Sequence, residues 1–113
     1  MNGDDLRRLE AVASVVAFPA GHVLIERGQH GGGLFVIVDG TVVVEASEGE
    51  LEYGSGSVIG ERALLSPAGT RAARVRATSD LRVLAVDRVE FERLCADDAA
   101  FADRVASLSA RPR

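Results

Sequence analysis

Apolar positions along this chain change rhythm twice. Leu6, Leu9 and Val12/Ala13 recur at three-to-four spacing, which predicts an amphipathic helix over 4–13 with Asp4 or Asp5 as its cap. From Ser14 onward the pattern breaks into short β-prone runs: Val15–Phe18, His22–Ile25, Leu34–Val38, Thr41–Ala46, Leu51–Tyr53, Val58–Ile59, Arg71–Ala77 and Leu81–Val86. Turn-forming stretches separate them, at Pro19-Ala20-Gly21, Gly28–Gly33, Asp39-Gly40, Ser47–Glu50, Gly54–Gly56 and Thr78–Asp80. Asp39-Gly40 lies between two strongly apolar runs and is the strongest hairpin signal in the chain. Eight short strands at close spacing predict a sandwich or barrel, and the runs on either side of Asp39-Gly40, apolar on both faces, should be central strands.

Helical spacing returns near the end. Asp87 followed by Glu90 is a capping box that opens a helix through Phe91, Leu94 and Cys95. A second helix is expected from about Asp97, carrying Phe101, Val105 and Leu108, and Arg111-Pro112-Arg113 reads as a frayed tail. No repeat, linker or low-complexity segment divides the 113 residues, so one domain is expected: a helix over 1–13, strands over 14–86 and helices over 87–110.

Composition narrows the partners. Hydrophobic residues make up 47% and charged residues 27%, the balance of a soluble globular chain. Trp is absent and aromatics are few, so the core must rest on Val, Leu, Ile and Ala. The net charge is −4 and the 13 basic residues are interspersed with acids, which argues against a nucleic-acid partner. Cys95 is the single cysteine, so no intrachain disulfide can form and a reducing, cytoplasmic setting is expected. The acidic start is unlike a secretory signal, and no apolar run approaches the roughly 20 residues of a membrane helix.

One stretch interrupts the β rhythm, from Gly56 to Ala73. Gly60 frees the backbone, residues 61–65 can form a helical turn, and Pro67 with Gly69 ends it. A short helix reached through glycine offers unpaired N–H groups that suit an anion. In the strand that follows, Ala73, Val75 and Ala77 share one face while Arg74 and Arg76 share the other. The apolar face is expected to be the inner one, which puts Arg71 inside among alanines and valines. An inward guanidinium needs a partner, either Glu61 or an anionic ligand that its planar fork can grip. Taken singly, Glu61 and Arg71 have plainer readings, as a helix-start glutamate favoured by the dipole and a solvated strand arginine.

Together they resemble something specific. Gly60-Glu61-x-Ala63-Leu64-Leu65 followed by Arg71-Ala72-Ala73 resembles the phosphate-binding cassette of the cyclic-nucleotide-binding domain family. That family includes catabolite-activator-type regulators, kinase regulatory subunits and gated channels. The resemblance runs from about Phe18 to Leu94, with Phe18-Pro19-Ala20-Gly21 through Gly28 and Leu34–Gly40 similar to its weaker outer motifs. It implies an eight-stranded double-stranded β-helix, a jelly-roll or cupin-like β-roll, with one N-terminal and two C-terminal helices. Glu61 would accept a hydrogen bond from the ribose 2′-hydroxyl, and Arg71 would pair with the cyclic phosphate alongside the N–H groups of Ala63 and Ala72. Gly60 would permit close approach of the sugar, and Leu64 and Ala73 complete the implied contacts. Glu61 and Arg71 stand ten positions apart, as in the bacterial regulators of that family. Ala72, where Ser or Thr often accompanies cGMP preference, points to cAMP. Ile59 departs from the family where an aromatic is usual, and Arg74 replaces a common Thr or Ser.

Competing chemistry finds little support in the residues. A metal-dependent cupin would need a His cluster, and His22 and His30 form none. Cys95 shares an apolar helix face with Phe91 and Leu94, the place of a core residue. Gly31–Gly33 is followed by neither Lys nor a helix start, so it is no phosphate loop. Ser14, Ser57 and Ser66 lack a His partner. No catalytic residue, metal or cofactor is therefore expected. The resemblance implies a cAMP sensor, with cGMP as the other ligand, acting on an effector protein or domain through the C-terminal helices. The alternative is an interaction domain on the same roll that no longer binds nucleotide. Phe101 and Val105 would serve as a lid, as a stripe packed on the roll in every state, or as a homodimer seam.

Overall fold

The computed structural model describes residues 3–26, 33–46, 49–60 and 73–107. Among them the order is α1 (Gly3–Val12), β1 (Ser14–Phe18), β2 (Val23–Ile25), β3 (Gly33–Asp39), β4 (Val42–Ala46), β5 (Gly49–Tyr53), β6 (Val58–Ile59), β7 (Arg74–Ala77), β8 (Leu81–Asp87), α2 (Arg88–Asp97) and α3 (Phe101–Ser107). The strands form two antiparallel sheets, β1-β8-β3-β6 and β2-β7-β4-β5. This is the expected β-roll with flanking helices, and β3 and β4 are interior strands as their two-sided apolar pattern predicts.

For β3 the reason for that pattern is a three-layer arrangement. Ile37, Ile59, Leu81 and Val83 of the first sheet meet Ile25, Val42, Tyr53, Val75 and Ala77 of the second, and these side chains fill the roll. The opposite face of the first sheet carries Leu34, Val36, Val58 and Val86, which pack against Leu9 of α1, Phe91 of α2, and Phe101 and Val105 of α3. Strands β3, β6 and β8 therefore have apolar neighbours on both sides, and strict alternation with polar residues would leave one side uncovered. The second sheet is different, because its outer face meets solvent. There Glu45 pairs with Arg74 and Arg76, and Val43 is buried between its register neighbours Arg76 and Glu52.

Three local expectations are corrected. Asp39-Gly40 is not a hairpin, because β3 and β4 belong to different sheets. Both edges of β3 are taken by β6 and β8, and both edges of β4 by β5 and β7. The turn is a corner between sheets, with Gly40 at φ +102°. It is tied to the 78–80 turn by Thr41 N–H donating to Ser79 Oγ at 3.0 Å and Thr78 N–H donating to the Thr41 carbonyl at 3.0 Å. Asp-Gly backbone freedom suits either turn, and the availability of strand partners decides between them.

Asp4 and Asp5 are not caps. Both sit inside the first turn of α1, where Asp4 pairs with Arg7 and Asp5 reaches Arg104 of α3. The last helix starts at Phe101 and not near Asp97, because α2 runs through Asp97 and Asp98 turns the chain. Asp98 N–H donates to the Leu94 carbonyl at 3.1 Å, and its Oδ1 accepts from Ala100 N–H at 3.1 Å. The start of α2 is as expected: Asp87 Oδ1 accepts from Glu90 N–H at 2.9 Å.

Candidate functional site

The stretch that interrupts the β rhythm begins in one sheet and ends in the other. Strand β6 approaches it, paired to β3 through Phe35↔Ile59 and Val36↔Val58. Strand β7 leaves it, paired to β2 and β4. The approach is held firmly by the turn before β6. Gly56 N–H donates to the Ile37 carbonyl at 2.8 Å, Ile37 N–H donates to the Ser57 carbonyl at 2.9 Å, and Ser55 Oγ–H donates to the Val38 carbonyl at 2.8 Å. Val58 and Ile59 are buried on opposite sides of the sheet, Val58 against the helices and Ile59 inside the roll. Gly60 then adopts φ +89°, in the region that glycine enters without the steric cost other residues meet, so the chain can turn away from the strand.

On the far side the parity of β7 is as the sequence predicts. Val75 and Ala77 are buried in the roll, while Arg74 and Arg76 face outward to Glu45 at 3.4 and 3.3 Å. Ala73 is half-buried and stands one position before β7. The departure at Arg74 thus leaves the inner face unchanged, and Ile59 fills its place in the roll as one more core side chain. Of the residues singled out, Gly60 and Ala73 frame the site. Glu61, Ala63, Leu64, Arg71 and Ala72 lie outside the described residues.

Phe101 and Val105 are fully buried. They share one cluster with Leu9, Leu34, Val36, Val86, Phe91 and Val58. Phe91 and Phe101 meet at a centroid distance of 6.1 Å. Val58 is the residue that sequence reasoning passed over: it stands two positions before Gly60 and packs in the cluster with the helices, so it joins the strand leading to Gly60 to the helical layer. Its signal was present, in a two-residue apolar run that has no polar face directly before a glycine.

Other groups have structural roles. His22 stacks on Phe18 at 4.5 Å, and Phe18 meets Phe35 edge-on at 6.3 Å. Among the described residues no group of His, Cys, Asp and Glu could hold a metal ion. Burial, with Glu92 and Asp98 nearby, pushes the Cys95 thiol above its ordinary value, the opposite of what a nucleophile needs. No helix among the described residues is long and apolar enough to cross a membrane.

Comparison with known proteins agrees with this frame. The chain is 33% identical over 87 residues to a cyclic nucleotide-gated potassium channel of Rhizobium etli, covering 77% of this chain and 24% of the channel. It thus spans about a quarter of that relative's length. A solved structure from a cyclic-GMP-dependent signalling pathway that regulates bacterial phytopathogenesis superposes with TM-score 0.81 at 26% identity, over 95% of this chain and 89% of that one. The catabolite activator protein of Thermus thermophilus superposes with TM-score 0.80 at 24% identity, over 96% of this chain and 53% of that one, and shares the β-roll. The family model of the cyclic nucleotide-binding domain matches residues 15–98, so the chain belongs to the cyclic nucleotide-binding domain family.

Proposed function

We propose that this domain is a non-catalytic sensor that binds cAMP between Gly60 and Ala73 and passes its occupancy to an effector through the C-terminal helices. The observation that carries the reading is the sequence Gly60-Glu61 … Arg71-Ala72-Ala73, set between a strand of one sheet and a strand of the other. In this reading Glu61 accepts the ribose 2′-hydroxyl. Arg71 grips the cyclic phosphate with two N–H donors, supported by the N–H groups of Ala63 and Ala72. Arg71 is assigned to the inner side on the alternation in the sequence alone, where it stands two positions before Ala73 in the series Ala73, Val75, Ala77. Arg74 and Arg76 are turned away toward Glu45 and do not compete for the anion. A cytoplasmic setting accords with the single unpaired cysteine.

Cyclic GMP is the second ligand to consider, because a structural relative comes from a cyclic-GMP-dependent pathway. Ala72 offers no hydroxyl at that position of the cassette, which favours cAMP. Calorimetric titration of the chain with cAMP and with cGMP tests the reading. A ligand of roughly two dozen non-hydrogen atoms at about 0.3 kcal/mol each gives a dissociation constant on the order of micromolar. Tighter cGMP binding would reverse the ligand assignment. Absence of binding to either at millimolar concentration would leave an interaction domain on the same roll.

A further inference from the structure

Helices α1 and α3 both lie outside the region 15–98 that the family model matches, yet they are tied to each other. Asp5 of α1 is the one buried charged side chain among the described residues, with 1% of its surface exposed. Arg104 of α3 grips it with both arms of a fork, Nε to Oδ2 at 2.7 Å and a terminal nitrogen to Oδ1 at 2.9 Å. That terminal nitrogen also reaches Asp98 Oδ2 at 2.6 Å, and Arg8, one position after Arg7 on α1, donates to the same oxygen at 3.0 Å. Two charges of each sign thus alternate from α1 to the α2–α3 corner and on to α3. Beneath them, Leu9 packs in the same cluster as Phe101 and Val105.

We propose that the Asp5–Arg104–Asp98–Arg8 network is an ionic lock that makes α1 and α3 one body, so that the two helices move together when the site is occupied. This rests on the sensor reading given above. Asp5 is buried and Arg104 is only partly so; an ion pair of this kind is a poor source of stability, but it is selective about partner and geometry. A planar guanidinium forked on a carboxylate fixes the relative position of two helices in a way that Leu9 against Phe101 cannot, because apolar contacts slide. Val58 supplies the connection to the site: it lies in the cluster beneath the lock and two residues from Gly60. A shift of the chain at Gly60 that displaces Val58 would therefore press on α1 and α3 at once.

The test is hydrogen exchange on the full chain, for the parent, Asp5→Asn and Arg104→Lys, each with and without cAMP. Without ligand, the parent should open α1 and α3 with a common rate. Asp5→Asn should separate the two, raising exchange in α3 about tenfold or more while β3 and β8 stay protected. Arg104→Lys keeps the charge and loses the fork, so it should fall between. With cAMP, the parent should change protection in both helices in the same direction, and Asp5→Asn in α3 without α1. Independent opening of α1 and α3 in the parent would overturn the lock, as would an unchanged pattern in both variants. If Asp5→Asn unfolds, Arg104→Lys carries the same comparison. Failure of the parent to bind cAMP would overturn the sensor reading alone, since the ligand-free comparison still reads the lock.

Discussion

The α-carbon of Gly40 lies so close to Asp80 that a Cβ placed there would come within 2.4 Å of the Asp80 carbonyl oxygen. This contact, together with φ +102°, explains why the corner between the two sheets is a glycine. Gly21 is a useful contrast: its φ is +91°, but an added Cβ would meet nothing within 4 Å. Gly21→Ala should cost about 1 kcal/mol for the backbone conformation alone, and Gly40→Ala about 3 kcal/mol or more. Chemical denaturation of the two variants checks this. Equal costs would show that the corner relaxes around a methyl group.

Replacing Arg71 with Ala should weaken cAMP at least tenfold, because a charge-assisted forked contact is worth roughly 1.5–3 kcal/mol. Stability without ligand should change little or rise, since the contact that the substitution removes is one made to the ligand. Parent-like affinity in Arg71→Ala would move the phosphate elsewhere.

Glu61→Gln keeps the shape and one acceptor but removes the charge. It should cause a modest loss for cAMP and no added loss for the 2′-deoxy analogue, since both changes remove one contact. Calorimetry on the four combinations closes the cycle, and additive losses would place the 2′-hydroxyl away from Glu61.

The β-roll was legible because its signals are local. Short apolar runs with turn residues between them mark the strands, and the alternation in Arg74–Ala77 states which face is inner. The cassette is legible as a motif alone, since Gly60, Glu61 and Arg71 lie in one stretch of chain, and Glu61 and Arg71 lie outside the described residues. What escaped depends on partners distant in sequence. Asp39-Gly40 has the backbone of a hairpin turn, and only the strands competing for the edges of β3 and β4 make it a corner. Asp5 has the position of a cap, and only the approach of Arg104 from the far end of the chain makes it a buried ion. The start of the last helix escapes too, because nothing in the periodicity of Phe101 and Val105 marks it at Phe101 and not near Asp97.

Asp98 gives the domain a predictable response to acid. Hydrogen bonds from Arg104 and Arg8 draw its carboxyl down from the usual 3.8 to about 2. The folded chain holds this carboxylate ionised more readily than the unfolded chain does. Its contribution to stability is therefore present in full above the unfolded value and is lost as pH falls from 3.8 toward about 2. Denaturant melts of the parent and Asp98→Asn across that window should show a shallower decline in the variant, with a constant gap between the two at neutral pH. Parallel slopes at low pH would mean that other carboxylates set the acid limit.

Phe101 separates packing from signalling. Its ring is fully buried beside Phe91, in the cluster that also holds Leu9 and Val58, so Phe101→Ala should cost about 3–5 kcal/mol, the range for emptying an aromatic site in a core. Val15→Ala is the matching surface control, because Val15 is 67% exposed and should change stability by less than about 0.5 kcal/mol. If α3 carries the response to ligand, its two arrangements must differ in affinity for cAMP, and removing the ring should change that difference. Hydrogen exchange on adding cAMP should then show protection gained between 97 and 107 in the parent, with the gain reduced in Phe101→Ala. It should also show protection at Gly60 in both. Protection at Gly60 with α3 unchanged in the parent would make Phe101 a core residue only, and the domain a binder whose helices take no part in the response.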